Sequence, residues 1–264
     1  MKKEITEMIR ILASTILMVV SLFCSCEAFA QSVPSPYQLI ERQKQGNQRY
    51  LTSDQVIERL KQGNQRYLTG LSEHKRIDVE RRVETAKYGQ KPLTTILGCS
   101  DSRVPPEIVF DQGFAEVFVV RVAGNVSGED QLASIEYGTA YLGTPVLLVL
   151  GHSKCGAVEA AILDEKLLGS LPCLIGKIHP AVKKVQERYQ RHPELKQDMF
   201  VDECVKENVW NTIEEIFRKS PIIAERVRKN ELKVVGAVRE IKTGKVEWLG
   251  EHPEQGRFLS QAIK

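Results

Sequence analysis

Three near-continuous apolar runs of strand length stand out along the chain: "LTTILG" (Leu93–Gly98), "EVFVVRVAG" (Glu116–Gly124) and "PVLLVLG" (Pro145–Gly151). A strand with one wet face alternates apolar and polar residues. Runs without that alternation mark strands buried on both faces, as in a parallel sheet covered by helices. Between them, "DQLASIEYGTAYLG" (Asp130–Gly143) and "KCGAVEAAILDEKLLG" (Lys154–Gly169) predict helices that end at glycine. The polar stretch from about His179 to Asn230 is helical in pattern. "LKVVGAVREIKTGKVEWLG" (Leu232–Gly250) predicts a strand, a turn at "KTGK" and a partner strand. The expected fold class is therefore α/β. A mostly parallel central β-sheet is flanked by α-helices, with helical arms at the N-terminus and a hairpin at the C-terminus. No Gly/Ser linker marks a second domain.

Upstream of these runs the pattern repeats. "IERQKQGNQRYLT" (Ile40–Thr52) recurs as "IERLKQGNQRYLT" (Ile57–Thr69), a tandem duplication in which only one position differs. Two units are too few for a solenoid. In the second copy Leu60 joins Ile57, Asn64 and Tyr67 on one helical face; the first copy has Gln43 at the matching place. The second copy is the expected packed helix. Domain bounds follow as a leader over residues 1–30, an extension with the duplicated segment over 31–55, and a globular domain over 56–264.

The leader comes from the extreme N-terminus. A basic start, "MKKEITEMIR", precedes an uncharged run from Ile11 to Cys26, 16 residues long. Roughly 18 to 20 are needed to span a bilayer. "AFAQ" then supplies the small-x-small pattern of a cleavage site. These features predict a secretory signal peptide, hence an exported protein, periplasmic or secreted, with no stable membrane anchor. The formal net charge of the whole chain is +3, with Lys and Arg scattered among Asp and Glu, so no basic stripe argues for nucleic acid.

Once the leader's Cys24 and Cys26 are set aside, Cys99, Cys155, Cys173 and Cys204 remain. Two of them fall in unusual strand-end sequences. "CSDSRVPPE" (Cys99–Glu107) follows the first run, and "GHSKCG" (Gly151–Gly156) follows the third. Sites in open α/β sheets lie beyond the carboxyl ends of strands. Together these ends offer two sulfurs (Cys99, Cys155), one imidazole (His152) and one carboxylate (Asp101), a set suited to tetrahedral zinc and poorly suited to calcium or magnesium. Residues 99, 101 and 103 alternate and should point to one side. Cys155 should fall in the first turn of the next helix, where the helix dipole favours a thiolate. Pro105 and Pro106 stiffen the loop exit. Cys173 and Cys204 have no such partners and read as plain thiols or one disulfide.

The paired motifs "CSDSRVPPE" and "HSKCG", with "FDQGFAEVFVVRVAGN", "ASIEYGTAYLG" and "LKQGNQRYLTG", closely resemble the β-class carbonic anhydrases over about residues 56–250. The resemblance implies one zinc ion per protomer on Cys99, His152 and Cys155, the fourth position taken by water or by Asp101. It implies reversible hydration of carbon dioxide to bicarbonate and a proton by zinc-bound hydroxide. Gln112 and Tyr137 match positions that line the substrate cleft, and the family assembles as homodimers or multiples of dimers. Two thiolates leave a bound water less acidic than neutral ligands would, so Asp101 reads as a hydrogen-bond acceptor for the hydroxide and Arg103 as its clamp. Two alternatives share the residues: a hydrolase of carbonyl sulfide or carbon disulfide, and a non-catalytic zinc-binding protein. Arg103 argues against the latter, since a purely structural aspartate ligand needs no guanidinium beside it.

The leader is directly testable. Intact-mass analysis of the exported protein should place its first residue at or near Gln31; an intact Met1 in the membrane fraction would refute the cleavage.

Overall fold

The structure is a computed structural model and describes residues 51–164 and 166–261; the predicted leader and most of the first repeat copy lie outside the described residues. Five strands form one sheet in the order β2-β1-β3-β4-β5: β1 (Thr94–Gly98), β2 (Val117–Arg121), β3 (Val146–His152), β4 (Lys233–Arg239) and β5 (Val246–Gly250). The first four are parallel, and β5 returns antiparallel to β4.

Both faces of the sheet are covered, which explains the unbroken apolar runs. On β3, Leu147 and Val149 face one hydrophobic cluster, while Val146, Leu148 and Leu150 face the other. The first cluster is completed by α4 (Glu129–Glu136), α5 (Gly156–Leu163), α7 (His179–Arg191), α8 (Phe200–Lys219) and α9 (Pro221–Arg228). The second is closed by α1 (Ser53–Leu68) and the short α3 (Pro106–Val109), through Val56, Leu60 and Val109. Three further helices are α2 (Val79–Tyr88), α6 (Leu171–Ile175) and α10 (Gln255–Gln261), the last of which follows the hairpin that was expected to close the chain.

Two expectations about helices change. The packed N-terminal helix starts at Ser53, ahead of the expected boundary. Thr52 and Gln55 cap it reciprocally, and Thr52 is the last residue of the first repeat copy, so the junction of the duplication supplies the cap. Helix α5 stops at Leu163 instead of continuing to Gly169. Asp164 turns left-handed (φ 48°), and beyond it Leu168 is exposed with no surface to pack against. A helix without an apolar face to bury has little to hold it.

Asn64 fixes α1 to the rest. Its buried amide donates to the carbonyls of Val109 and Gly244 at 3.2 and 3.1 Å, and its oxygen accepts from the amide of Val246 at 3.1 Å. One side chain thus ties α1 to both α3 and the β4–β5 hairpin. In Asn64→Ala those three buried groups lose their partner, at about 1 to 3 kcal/mol for each group left unsatisfied. A total loss of about 3 kcal/mol should lower the melting temperature by roughly 6 to 12 °C. An unchanged thermal transition would show that water replaces the amide at no cost.

Candidate metal centre

The connection from β2 to β3 crosses β1, so the chain reverses its direction of travel across the sheet between β1 and β3. The carboxyl ends of strands flanking such a point form a crevice. Register sets what stands there. Gly98 pairs with Leu150 and with Arg121, and His152 pairs with Arg239. The first loop residue after β1 is Cys99, and the last residue of β3 is His152.

Among the described residues, Cys99, His152 and Cys155 place one ligand atom each within 4.8 Å of one another, and all three are buried. Neither cysteine is in a disulfide. The His152 ring binds the Ser153 carbonyl through Nδ1 at 3.0 Å, which assigns the proton there and leaves Nε2 as an acceptor. That Nε2 is buried and has no hydrogen-bond partner. A buried, unpartnered imidazole nitrogen facing two sulfurs is costly without a ligand. Such a donor set fits zinc, and the fixed tautomer orients the ring for it. Cys155 is the N-cap of α5, one position earlier than expected; its carbonyl accepts from the amides of Val158 and Glu159, each at 2.9 Å.

Electrostatics favour a thiolate. The Cys155 thiol, bonding to Cys99, does most to hold the latter down to about 4; burial opposes this, while His152 and the amides of Asp101 and Gly124 add to it. Those amides lie 3.4 and 3.3 Å from the Cys99 sulfur. Cys155 is pushed up by the same bond and by burial. The pair therefore holds one thiolate and one shared proton, and a metal ion must displace that proton to bind both sulfurs. Burial works against an imidazolium at His152, but the Cys99 sulfur, the Ser153 carbonyl and Asp101 together shift the group upward.

Asp101 stands beside this three-donor group, and both its carboxylate oxygens are engaged by Arg103. Its Oδ1 accepts from the Arg103 amide and Nε, both at 2.9 Å, and its Oδ2 accepts from Arg103 Nη2 at 2.6 Å. That two-point grip holds the carboxyl well below the usual carboxylate range, so Asp101 stays ionised across the neutral range. Its Oδ2 is still only 4.0 Å from His152 Nε2. Arg103 is itself steadied by the Lys154 carbonyl at 3.2 Å, beside Cys155.

Two further arginines shape the loop and were not singled out in the sequence. Arg121 donates to the carbonyls of Cys99 and Asp101 at 2.9 and 2.6 Å. Buried Arg239 donates to the carbonyl of Arg103 and to the Tyr67 hydroxyl, both at 3.0 Å. Each is a lone guanidinium ending an apolar strand, and that break in the pattern was the available signal. Gln112 is buried and engaged by Arg59 and by the carbonyls of Phe110 and Asp111. Tyr137 is half-exposed and stacks between Phe118 and Tyr141. Neither hydrogen-bonds to the four residues of the centre.

Sequence and fold comparisons agree with this geometry. The carbonic anhydrase family model matches residues 94–246. Carbonic anhydrase 2 of Mycobacterium tuberculosis is 38% identical over 178 residues, 67% of this chain and 83% of that protein. The carbonic anhydrase of Mycolicibacterium smegmatis is 36% identical over 178 residues, 66% of this chain and 82% of that one. A β-carbonic anhydrase of Aspergillus fumigatus superposes with a TM-score of 0.60 at 25% identity, covering 76% of this chain and 93% of that one. One of two β-carbonic anhydrases of Sordaria macrospora, described as tetrameric, gives 0.56 at 26% identity, covering 65% and 87%. The chain belongs to the carbonic anhydrase family, in its β class, and is an enzyme of that family.

Proposed function

We propose that the protein hydrates carbon dioxide reversibly to bicarbonate and a proton, with one zinc ion per protomer held by Cys99, His152 and Cys155. The observation behind this reading is a buried three-donor group whose nearest carboxylate is bound elsewhere. Structural zinc is closed by four protein ligands, whereas catalytic zinc keeps one position open. Zinc in such a site supplies a hydroxide nucleophile near neutral pH by acidifying water. The chain's own residues do the rest. Cys99, His152 and Cys155 fix the metal's place at the mouth of the crevice. Asp101, ionised and aimed by Arg103, would accept a hydrogen bond from the O–H of the nucleophile and so orient its lone pair towards substrate. Arg103 keeps that carboxylate off the metal by offering a better-matched cation.

Zinc analysis and stopped-flow hydration on the same samples test this. Wild-type protein should hold about one zinc per chain. Cys99→Ser and His152→Ala should lose most of their zinc and their activity, because each removes one of the three donor atoms. Arg103→Ala should keep zinc yet lose hydration at neutral pH by on the order of 100-fold, because the released carboxylate has the metal as its nearest cation. Arg103→Lys should recover little, since an ammonium lacks the planar fork. Full zinc and full activity in Cys99→Ser or His152→Ala would refute the assignment.

We also infer that the chain works as a homodimer or a multiple of dimers. Helix α2 buries none of its residues; its Val79 and Val83 are exposed, as are Phe114, whose carbonyl Arg81 of α2 grips, and Tyr137 and Tyr141 beside Phe118 of β2. Among the described residues no strand pairs with the outer edge of β2, where Val117, Phe118 and Val119 are only half-buried. An uncovered apolar edge strand is an association surface. A second copy on it would enclose Tyr137, and with Gln112 that residue would line the substrate cleft. Sedimentation at micromolar concentration should give a dimer or larger even-numbered assembly; a fully active monomer would contradict this. With the leader removed, the enzyme is proposed to act outside the cytoplasm on carbon dioxide and bicarbonate alone.

A further inference from the structure

The Cys99 sulfur receives two amide hydrogen bonds, and the two are secured differently. The Asp101 amide comes from the sulfur's own loop, two residues on. The Gly124 amide comes from a separate turn, Ala123–Asn125, after β2. That turn is conformationally demanding. Gly124 has φ 70°, and a side chain there would meet Ile178 Cδ1 at 2.6 Å and Ala157 Cβ at 3.2 Å. Asn125 follows with φ 44°, also left-handed and without glycine's freedom. A backbone held in this region needs outside support.

Support comes from the middle of α8. Asn208 is 1% exposed, and its Nδ2 donates to the Gly124 carbonyl at 2.7 Å. The amide oxygen of Asn208 has no hydrogen-bond partner, so this single bond is what its polar side chain does among the described residues. Turning the amide over would set oxygen against oxygen, which fixes its orientation. One residue of α8 thus holds the carbonyl side of Gly124 while the N–H side of the same residue points at the sulfur. Nothing else in α8 reaches the centre by a hydrogen bond.

We infer that Asn208 is a positioning residue for the metal centre: through Gly124 it aims an N–H at the Cys99 sulfur and so sets how strongly that sulfur donates to the metal. The inference rests on the metal-binding reading above. An amide donating to a thiolate draws electron density away from the sulfur. Two thiolates make a metal a weak acid towards its remaining ligand, and N–H donation to one of them offsets part of that. Partners behind the ligands commonly matter at the level of 10- to 100-fold in metal affinity or activity.

Cobalt and cadmium substitution read this without using activity. In the cobalt(II)-loaded full chain, Asn208→Leu should shift the sulfur-to-metal charge-transfer band to lower energy, because the Cys99 sulfur loses electron withdrawal by the Gly124 amide. Ile213→Ala, a cavity at a fully buried position five residues further along the same helix, should lower stability but leave the band in place. In cadmium-113-loaded wild type, the Gly124 amide proton should show coupling to the metal through the sulfur, and Asn208→Ser should weaken it. If Asn208→Leu does not fold, the Asn208→Ser coupling decides. An unshifted band in Asn208→Leu, or an undiminished Gly124 coupling in Asn208→Ser, would overturn the inference. Absence of metal binding in wild type would overturn the metal reading itself, which keeps the two failures distinct.

Discussion

The parallel pairing of β1 with β3 is the constraint on which the centre depends. Because Gly98 lies opposite Leu150, the loop that begins at Cys99 opens beside the end of β3, where His152 stands. Strands buried on both faces cannot slip by one residue without turning their core side chains into the wrong layer. The register is therefore held by the whole hydrophobic core, with Ile96 and Leu148 in one layer and Leu97 and Val149 in the other. Ligand geometry inherits the rigidity of that core. The neighbouring strands add to it, since Arg121 and Arg239 close β2 and β4 and grip the carbonyls of the same loop.

That arrangement places polar chemistry where the fold alone would not favour it. Two thiols and an imidazole sit at the rim of an apolar core, with the imidazole Nε2 unpartnered. Without metal, one thiolate is stabilised by a neighbouring thiol and two amides, and the other cysteine retains its proton. A metal held by these residues would release that proton and fill the unpartnered nitrogen, and so would stabilise the same loops that hold it. Asp101 and Arg103 stand nearer solvent and form a self-contained pair. The proposed function assigns the two groups different tasks: the buried residues would hold the ion, and the more exposed pair would orient what binds to it.

Much of this was legible in the chain. Continuous apolar runs showed a sheet covered on both faces, and strand-end motifs marked the donors, because backbone periodicity and ligand chemistry are local properties. From the chain alone, Cys155 falls in the first turn of its helix and α5 runs on to Gly169, whereas Cys155 is the N-cap and α5 ends at Leu163. Helix ends depend on what the last turn packs against, and Leu168 finds no partner. Whether Asp101 rests on the metal or on Arg103 is not legible in the chain, because the choice turns on a few ångströms of side-chain placement. Arg121, Arg239 and Asn208 were missed for a different reason. Each acts on a backbone carbonyl distant in sequence, and no spacing rule reports such a contact.

The most direct measurement is a crystal structure of the zinc-loaded wild-type enzyme at slightly alkaline pH. The account predicts zinc on Cys99, His152 and Cys155, solvent in the fourth position, and Asp101 still gripped at both oxygens by Arg103. A carboxylate oxygen of Asp101 on the zinc in place of solvent, with the pair to Arg103 broken under those conditions, would contradict it.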